Sequence, residues 1–291
     1  MSKFMVLFIV FVLSAIAQNS SVKAATISIG NWAVDGSQMW RTSFPLNANG
    51  YGSSELKYPH SGNYTTVSLE TPLTNKKTLR VAGGFMGQIQ NATGSDSDWN
   101  YPLGGNNLWY YGEFNTSGAA NFIEISWVKK LNDTNSLSYG YSYSKSNYLM
   151  TDGVYYISNY QIESPPLQLE NLHSTYTMIY HGPFIGIESE KKLSSKITAV
   201  GTIKYSPLAI AQGHGYWNLR DLDFRHMGIA QIIDTQAGLR FSVIKNGAVT
   251  VGYRFKQMDI YRGWEDLSPD ISWDKATSRQ RGIYINGEMK F

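Results

Sequence analysis

Hydrophobic and polar residues alternate with a period of two along much of this 291-residue chain. The alternation is clearest in the segments 196–205, 247–255 and 283–291. In the first segment one face carries Ile197, Ala199, Gly201, Ile203 and Tyr205, and the other carries Lys196, Thr198, Thr202 and Lys204, with Val200 as the exception. Because successive side chains of a β-strand point to opposite faces, this pattern predicts strands. Beyond the first residues, no segment shows the period of an amphipathic helix.

The lengths of the segments and of their connections favour a membrane barrel over a soluble β-sandwich, which would show the same period. The segments are near the ~10 residues that a tilted strand needs to cross a bilayer. Short and long connections also alternate, as they do in outer-membrane barrels. The short connections are 71–77, 131–136, 193–196 and 245–247, and the long ones are 90–108, 150–171, 212–223 and 263–275.

The predicted fold is therefore all-β, a transmembrane antiparallel up-and-down β-barrel of about ten strands, with residues 25–291 as one domain. An even strand number suits a single-chain bacterial barrel, and closure of the sheet satisfies every backbone donor in lipid. The chain also ends on an aromatic residue, Phe291, as such barrels commonly do. The predicted strands are 26–42, 53–71, 77–88, 119–131, 137–148, 174–191, 196–211, 224–244, 248–263 and 277–291.

The first residues resemble a secretory signal. Lys3 supplies the positive end, residues 4–17 form an apolar core, and small residues allow cleavage after Ala17 or after Ala24. The apolar run is shorter than the ~20 residues of a membrane-spanning helix, which favours a signal peptide, residues 1–24, over an anchor. With the barrel pattern, this predicts the cell outer membrane, with the long loops facing outside and membrane lipid as a partner.

Composition excludes several classes of function. Without cysteine, neither a disulfide framework nor a thiolate metal site can form. The net charge is only +3, which provides no electrostatic argument for a nucleic-acid partner. The chain also lacks the phosphate-binding glycine loop, the His-Glu-x-x-His zinc motif and the Gly-x-Ser-x-Gly nucleophile motif. We expect no cofactor and no metal.

Two predicted loops contain residues that could perform chemistry. In the first, Asp96 and Asp98 lie two residues apart, so that in an extended segment both carboxylates point to one side. They are either a water-activating pair or solvated loop aspartates. In the second loop His214 lies between two glycines near a strand end. It is either a general base or an exposed histidine without a catalytic role.

These residues and several other stretches resemble the omptins, a family of outer-membrane endopeptidases built as ten-stranded barrels. The similarity is weak, extends over most of the mature chain, and is most specific at the aspartate pair. The stretches that carry it, in order, are Ile27-Ser28-Ile29-Gly30, Ser54-Glu55-Leu56-Lys57-Tyr58, Asp96-Ser97-Asp98-Trp99, Gly182-Pro183-Phe184-Ile185-Gly186, and Lys204-Tyr205-Ser206 followed by His214 and Tyr216.

The resemblance implies that Asp96 and Asp98 position a water molecule, and that His214 takes its proton before the water attacks a peptide carbonyl. The chain departs from the family where a second aspartate should support the histidine, because that position is Gln212. Gln212 can orient an imidazole but cannot stabilise its charged form. Asp221 or Asp223, further along the chain, could replace the missing acid.

The family's acidic residues that select basic substrate side chains also have no counterpart here, because the matching positions are about Gln38 and Ile210 or Ala211. Omptins bind lipopolysaccharide, and Tyr141 and Lys145 resemble part of that site. The alternative is an aromatic girdle residue beside a lysine that extends towards the membrane surface.

Three functions remain open from the sequence. The first is an omptin-like, aspartic-type endopeptidase acting on peptide or protein substrates at the cell surface. The second is a non-catalytic barrel of the same fold, serving as an adhesin, a structural protein or a receptor. The third is a small porin, which is disfavoured because side chains mostly fill the interior of a barrel of this size.

Overall fold

A computed structural model describes residues 25–46, 50–101, 107–266 and 268–291. The predicted signal peptide, 1–24, lies outside these residues. Eleven strands and one short 3-10 helix, Asn218–Arg220, occupy the described ranges. The strands are β1 (Thr26–Leu46), β2 (Gly50–Pro59), β3 (Gly62–Thr74), β4 (Lys77–Tyr101), β5 (Asn107–Lys130), β6 (Asn135–Ser158), β7 (Gln161–Lys192), β8 (Ile197–Trp217), β9 (Leu222–Ile244), β10 (Gly247–Glu265) and β11 (Ser268–Lys290).

All strands belong to one antiparallel sheet that closes on itself, because β11 pairs with both β10 and β1. The predicted all-β barrel is confirmed. The second predicted strand, 53–71, is divided at His60 and Ser61 into β2 and β3, and both parts pair with β1 and with β4. The two strands β2 and β3 therefore follow one another along a single position in the barrel wall, so the barrel has ten positions and eleven strands.

Large apolar side chains cover the outer surface of the barrel. They form a band in which every second residue of a strand is exposed, as expected where lipid replaces water. Among them are Ile125, Tyr139, Ile185, Ile203, Ile210, Ile229, Leu239, Val251, Ile283 and Ile285. The described part of the chain contains no helix with the length and apolarity needed to cross a membrane.

The interior changes in character along the barrel axis. In the half that contains the short turns, it is polar and encloses a cavity of about 310 Å³. Ion pairs line this half, including Lys204 with Glu124 at 2.6 Å and Arg254 with Asp234 at 2.6 Å. In the other half the interior is filled by buried aromatic side chains, namely Trp40, Tyr58, Phe114, Tyr148, Tyr176 and Trp273.

The four predicted short connections are turns and define the turn end of the barrel. The predicted long loops are wrong in large part, because most of their residues are paired strands. The prediction failed because polar, glycine-rich segments suggest loops, whereas a backbone can pair with its neighbour whatever its side chains. The opposite end of the barrel is called the loop end below.

One side of the loop end rises above the rest. The strand β8 ends at Trp217, and its residue Tyr216 pairs with Thr175 of β7. The strand β7 begins at Gln161, so the segment 161–172 continues beyond the last described pairing with β8. The raised sheet consists of β2 together with the segments 90–101, 107–118, 147–158 and 161–174.

Candidate active site

Asp96 and Asp98 lie on β4 within the raised sheet, rather than in a loop. Their spacing of two places both side chains on one face, as the sequence predicts. Asp96 is opposite Leu56 of β2 and Gly112 of β5, and it is only 8% exposed. Leu56 belongs to the buried core, which shows that this face is the inner one.

The two carboxylates stand in a poorly compensated environment. Burial and the neighbouring charge of Asp98 raise the pKa of Asp96 well above its usual range, and Arg220 offsets this in part. Burial likewise raises the pKa of Asp98, although a hydrogen bond from Ser54 and the charge of Arg220 oppose the rise. The Oδ1 atom of each aspartate is buried and has no hydrogen-bond partner among the described residues. Such a pair can take up a proton or orient a water molecule.

Arg220, in the short helix between β8 and β9, provides a compensating charge for both aspartates. Asn218 holds this helix against β7, because its Oδ1 accepts hydrogen bonds from the backbone N–H of His173 and from the hydroxyl of Ser174, both at 2.8 Å. The guanidinium of Arg220 also opposes the pKa rise that burial causes at Tyr110, whose side chain borders the aspartate pair. The site therefore has two acids, one phenol and one arginine.

His214 lies on the other side of the barrel wall. Its side chain is 50% exposed on the outer face, and its Nε2 atom is 2.8 Å from Oδ2 of Asp223. Asp223 therefore is the acid that the sequence suggested as a replacement for the one missing at Gln212. The partly buried Gln212, two residues earlier in the same strand, is on that outer face as well.

The inner face next to His214 carries the buried residues Gly213 and Gly215. A Cβ atom at Gly213 would lie 2.2 Å from the hydroxyl of Tyr176, and one at Gly215 would lie 2.1 Å from the ring of Phe224. Close packing of aromatic rings thus requires glycine at both positions. The structure brings Asp96 and Asp98 together but does not place the imidazole of His214 on their side of the sheet.

A β-bulge determines the direction of His214. Lys204 and Ser206 are buried inside the barrel, and an uninterrupted strand would direct His214 inward as well, because all three positions are even. The pairing between β8 and β9 shifts by one residue between Ser206 and Ala209, after which the odd-numbered positions face inward. The bulge therefore turns His214 outward.

His226 is an inward-facing histidine that the sequence analysis did not select. Its ring is buried against Trp40, Phe224 and Trp273, at centroid distances of 5.0–5.3 Å. Nδ1 is 3.2 Å from the hydroxyl of Tyr176, and Nε2 is 3.3 Å from the carboxylate of Glu265. The alternation of β9 could have revealed its direction, but not its partners.

Tyr141 and Lys145 both lie on β6. Tyr141 is 48% exposed, and its hydroxyl is hydrogen-bonded to Nδ1 of His181. Lys145 is partly buried and has the same odd parity, so both side chains point outward. Within the described ranges, no group of three or more His, Cys, Asp or Glu side chains could hold a metal ion.

Comparison with known proteins shows the fold and supports the location. The family described as "Pom: Protochlamydia outer membrane protein" matches residues 131–258. The crystal structure of the outer membrane protease OmpT from Escherichia coli superposes with a TM-score of 0.71 and 13% identity, covering 93% of this chain and 98% of that chain. At this identity the likeness shows the fold alone. No curated protein sequence matches the chain.

Two further structures are similar over most of their length but superpose poorly. The translocator domain of the autotransporter NalP from Neisseria meningitidis has a TM-score of 0.34 and 9% identity, covering 98% of this chain and 94% of that chain. The toluene transporter TbuX from Ralstonia pickettii has a TM-score of 0.31 and 8% identity, covering 92% of this chain and 90% of that chain. Neither carries an argument about function. The chain is a β-barrel, and its similarity to an outer-membrane protein family and to outer-membrane barrels supports an outer-membrane location.

Proposed function

We propose that this barrel is a non-catalytic surface protein, an adhesin or receptor, whose raised sheet projects outside the cell and binds a basic partner. The observation that carries the proposal is the outward direction of His214. A general base must reach the water molecule that it activates, directly or through one further water. The side chain of His214 points away from the face on which Asp96 and Asp98 lie, and it is engaged by Asp223.

The charge of the raised sheet supports the choice of a basic partner. Within its described segments the sheet has seven carboxyl groups, two of which, Asp96 and Asp98, face the interior, and one lysine, Lys57, which is paired with Glu55. Asp152 and Glu170 are exposed, as are the apolar side chains of Ile162, at 80%, and Leu167, at 42%. An acidic surface with exposed apolar groups complements a basic partner, and long-range attraction would speed the encounter.

The filled interior argues against a porin. The buried aromatic residues of the loop half, Trp40, Tyr58 and Tyr176 among them, stack at centroid distances of 5.3–5.7 Å. Such packing leaves no wide aqueous path through this half of the barrel. Accordingly, we expect no ion conductance above background in planar bilayers.

An aspartic-type endopeptidase is the second candidate, and a specific observation favours it. Asp96 is buried and Asp98 is partly buried, both have a raised pKa, and each has one oxygen without a partner. A pair of carboxyl groups, one protonated and one charged, can activate water without a histidine. This mechanism needs neither His214 nor a metal.

A peptide-cleavage assay distinguishes the two candidates. The wild-type barrel, purified from a host without surface proteases, is incubated with a mixed peptide library, together with Asp96→Asn, Asp98→Asn and His214→Ala. We expect no cleavage by any of the four proteins. Cleavage that both asparagine variants lose and His214→Ala retains would establish the aspartate pair as catalytic. Cleavage that also disappears in His214→Ala would restore the complete omptin-like site.

A binding assay tests the surface function. A lysine-rich peptide should bind the wild-type barrel at low salt, and binding should weaken about five- to tenfold in Asp152→Asn/Glu170→Gln. Asparagine suits position 152, whose φ of 51° lies in the left-handed region. Asp133→Asn/Glu190→Gln, which removes two exposed acids at the turn end, is the matched control. Equal binding by all three proteins would refute the assignment of the raised sheet.

A further inference from the structure

Exposed lysines surround the turn end of the barrel. Each short turn contributes one or more of them, and a further lysine lies at the end of β11. We call this group the lysine rim; its members are Lys76, Lys77, Lys129, Lys130, Lys191, Lys192, Lys196, Lys245 and Lys290. The rim contrasts with the acidic raised sheet at the opposite end, so charge is distributed unevenly along the barrel axis.

A large exposed apolar side chain accompanies the lysines in every turn. The sequence Lys-Lys-Leu occurs twice, at 129–131 and at 191–193, and the two leucines are 53% and 57% exposed. The remaining members of this set are Leu73 at 53%, Ile244 at 58% and Phe291 at 70% exposed. Single exposed apolar residues need no explanation, but their repeated pairing with lysine at one end of the barrel does.

Most lysines of the rim lack a carboxylate partner. Among the described residues, Lys130 alone of the rim forms an ion pair, with Asp133 at 2.9 Å. The arginines inside the barrel differ, because Arg80 binds Glu70 and Glu188, and Arg240 binds Glu190. Glu70, Glu188 and Glu190 are thus engaged by arginines, which leaves most of the charge of the rim uncompensated.

The rim continues directly from the lipid-facing surface. Trp127 lies two residues before Lys129, is 42% exposed, and stacks on Tyr139 of the neighbouring strand. Val243 and Ile244, at 65% and 58% exposed, precede Lys245. Aromatic residues at the edge of a barrel's apolar band mark the level of the lipid headgroups. The ammonium groups therefore lie where lipid phosphates lie.

We propose that the lysine rim binds the headgroups of anionic phospholipids in the leaflet that surrounds the turn end. The ammonium groups contact lipid phosphates, while the turn leucines, Ile244 and Phe291 enter the boundary between headgroups and acyl chains. The continuity with the apolar band favours lipid over a soluble acidic protein, which would have no use for apolar groups at the membrane edge. The proposal is independent of any function of the raised sheet.

Quenching of Trp127 fluorescence tests the proposal in vesicles of phosphatidylcholine that contain a minor fraction of a brominated lipid. The lipid is brominated phosphatidylglycerol in one series and brominated phosphatidylcholine in the other, and a Trp127→Phe barrel supplies the background. We expect phosphatidylglycerol to quench Trp127 about two- to fivefold more strongly at low salt, and equally at high salt. Equal quenching by the two lipids at low salt would overturn the proposal.

The variant Lys129→Gln/Lys130→Gln/Lys191→Gln/Lys192→Gln should lose the preference for phosphatidylglycerol. The control, Lys57→Gln/Arg225→Gln/Arg262→Gln/Lys275→Gln, removes four cations at the loop end and should keep it. A preference that survives in the first variant would refute the role of the rim. Circular dichroism and the heat-dependent shift in gel mobility confirm that each variant is a folded barrel.

Two further additions separate the sources of negative charge. Inorganic phosphate, added at matched ionic strength, should leave the preference for phosphatidylglycerol unchanged. Loss of that preference on addition of phosphate would indicate that the lysine rim binds free phosphate. A polyglutamate peptide should bind the barrel in neutral detergent no more strongly than it binds the four-glutamine variant. Lysine-dependent peptide binding without a lipid preference would assign the rim to a soluble acidic partner and overturn the proposal.

Discussion

His214 and Asp223 contact each other across β8 and β9 on the outer surface of the barrel, with Nε2 2.8 Å from Oδ2. Both side chains are about half exposed, at 50% and 54%. Water and salt screen a pair of this kind, so that its net contribution to stability is small. The contact resembles a catalytic dyad in its residue types but lies on the face of the sheet opposite to that of Asp96 and Asp98.

Replacement of His214 and of His226 should therefore have opposite consequences. We expect His214→Ala to change the free energy of unfolding by less than about 1 kcal/mol, because the exposed pair contributes little. In contrast, His226→Ala should cost about 3 kcal/mol or more, because it leaves a cavity among Trp40, Phe224 and Trp273 and removes a partner of Glu265. Urea unfolding in lipid vesicles measures both. Similar losses in the two variants would contradict the structure.

The aspartate pair should make the stability of the barrel depend on pH. A carboxyl group whose pKa is raised in the folded state binds its proton more tightly there than in the unfolded chain. The pair therefore destabilises the barrel progressively as the pH rises from about 4, the unfolded value for aspartate, through the raised values. Below that range both states are protonated and the penalty is absent.

Asp96→Asn should remove much of this penalty. At pH 8 we expect the variant to be about 1–3 kcal/mol more stable than the wild type, and at pH 4 the difference should nearly vanish. Urea titrations of both proteins at the two pH values measure the effect. Asp133→Asn, which alters a fully exposed acid at the turn end, is the control and should show no such change. A variant that is less stable at pH 8 would contradict the assignment.

For the buried ion pair of Lys204 and Glu124, removal of one partner should lower the stability of the barrel much more than removal of both. Lys204 and Glu124 are each 9% exposed in their side chains, at a distance of 2.6 Å. We expect Lys204→Met to destabilise the barrel by about 3–5 kcal/mol, because Glu124 would remain buried without its cation. The double variant Lys204→Met/Glu124→Leu should recover most of that loss. A double variant as unstable as the single one would show that packing, not charge, dominates.

Tyr141 and Lys145 remain a proposed contact for lipopolysaccharide. Lys145→Gln should weaken binding of lipopolysaccharide to the purified barrel about fivefold, because one lysine near a charged lipid surface contributes about 1 kcal/mol. Lys57→Gln, which removes an exposed lysine on another strand, is the matched control. Equal affinities for wild type and Lys145→Gln would favour the alternative, a girdle tyrosine beside a lysine that merely extends to the membrane surface.

Much of the architecture could be predicted because its cause is local. Alternation in segments such as 196–205 predicts strands, and short turns at 131–136 and 193–196 predict neighbouring antiparallel pairs. The extension of β4, β5, β6 and β7 into the raised sheet at the loop end could not be predicted. Their polar and glycine-rich segments show no alternation of hydrophobic and polar residues. Their pairing depends on backbone hydrogen bonds between segments distant in sequence.

The opposite outcomes at Asp96/Asp98 and at His214 show where prediction from the sequence ends. A spacing of two is enough to place both aspartates on one face of an extended chain, so their position side by side follows from the local sequence. The face on which His214 lies was decided only in the tertiary structure. One extra residue between Ser206 and Ala209 reverses every later side chain of β8, and that bulge exists only in the pairing with β9 and β7.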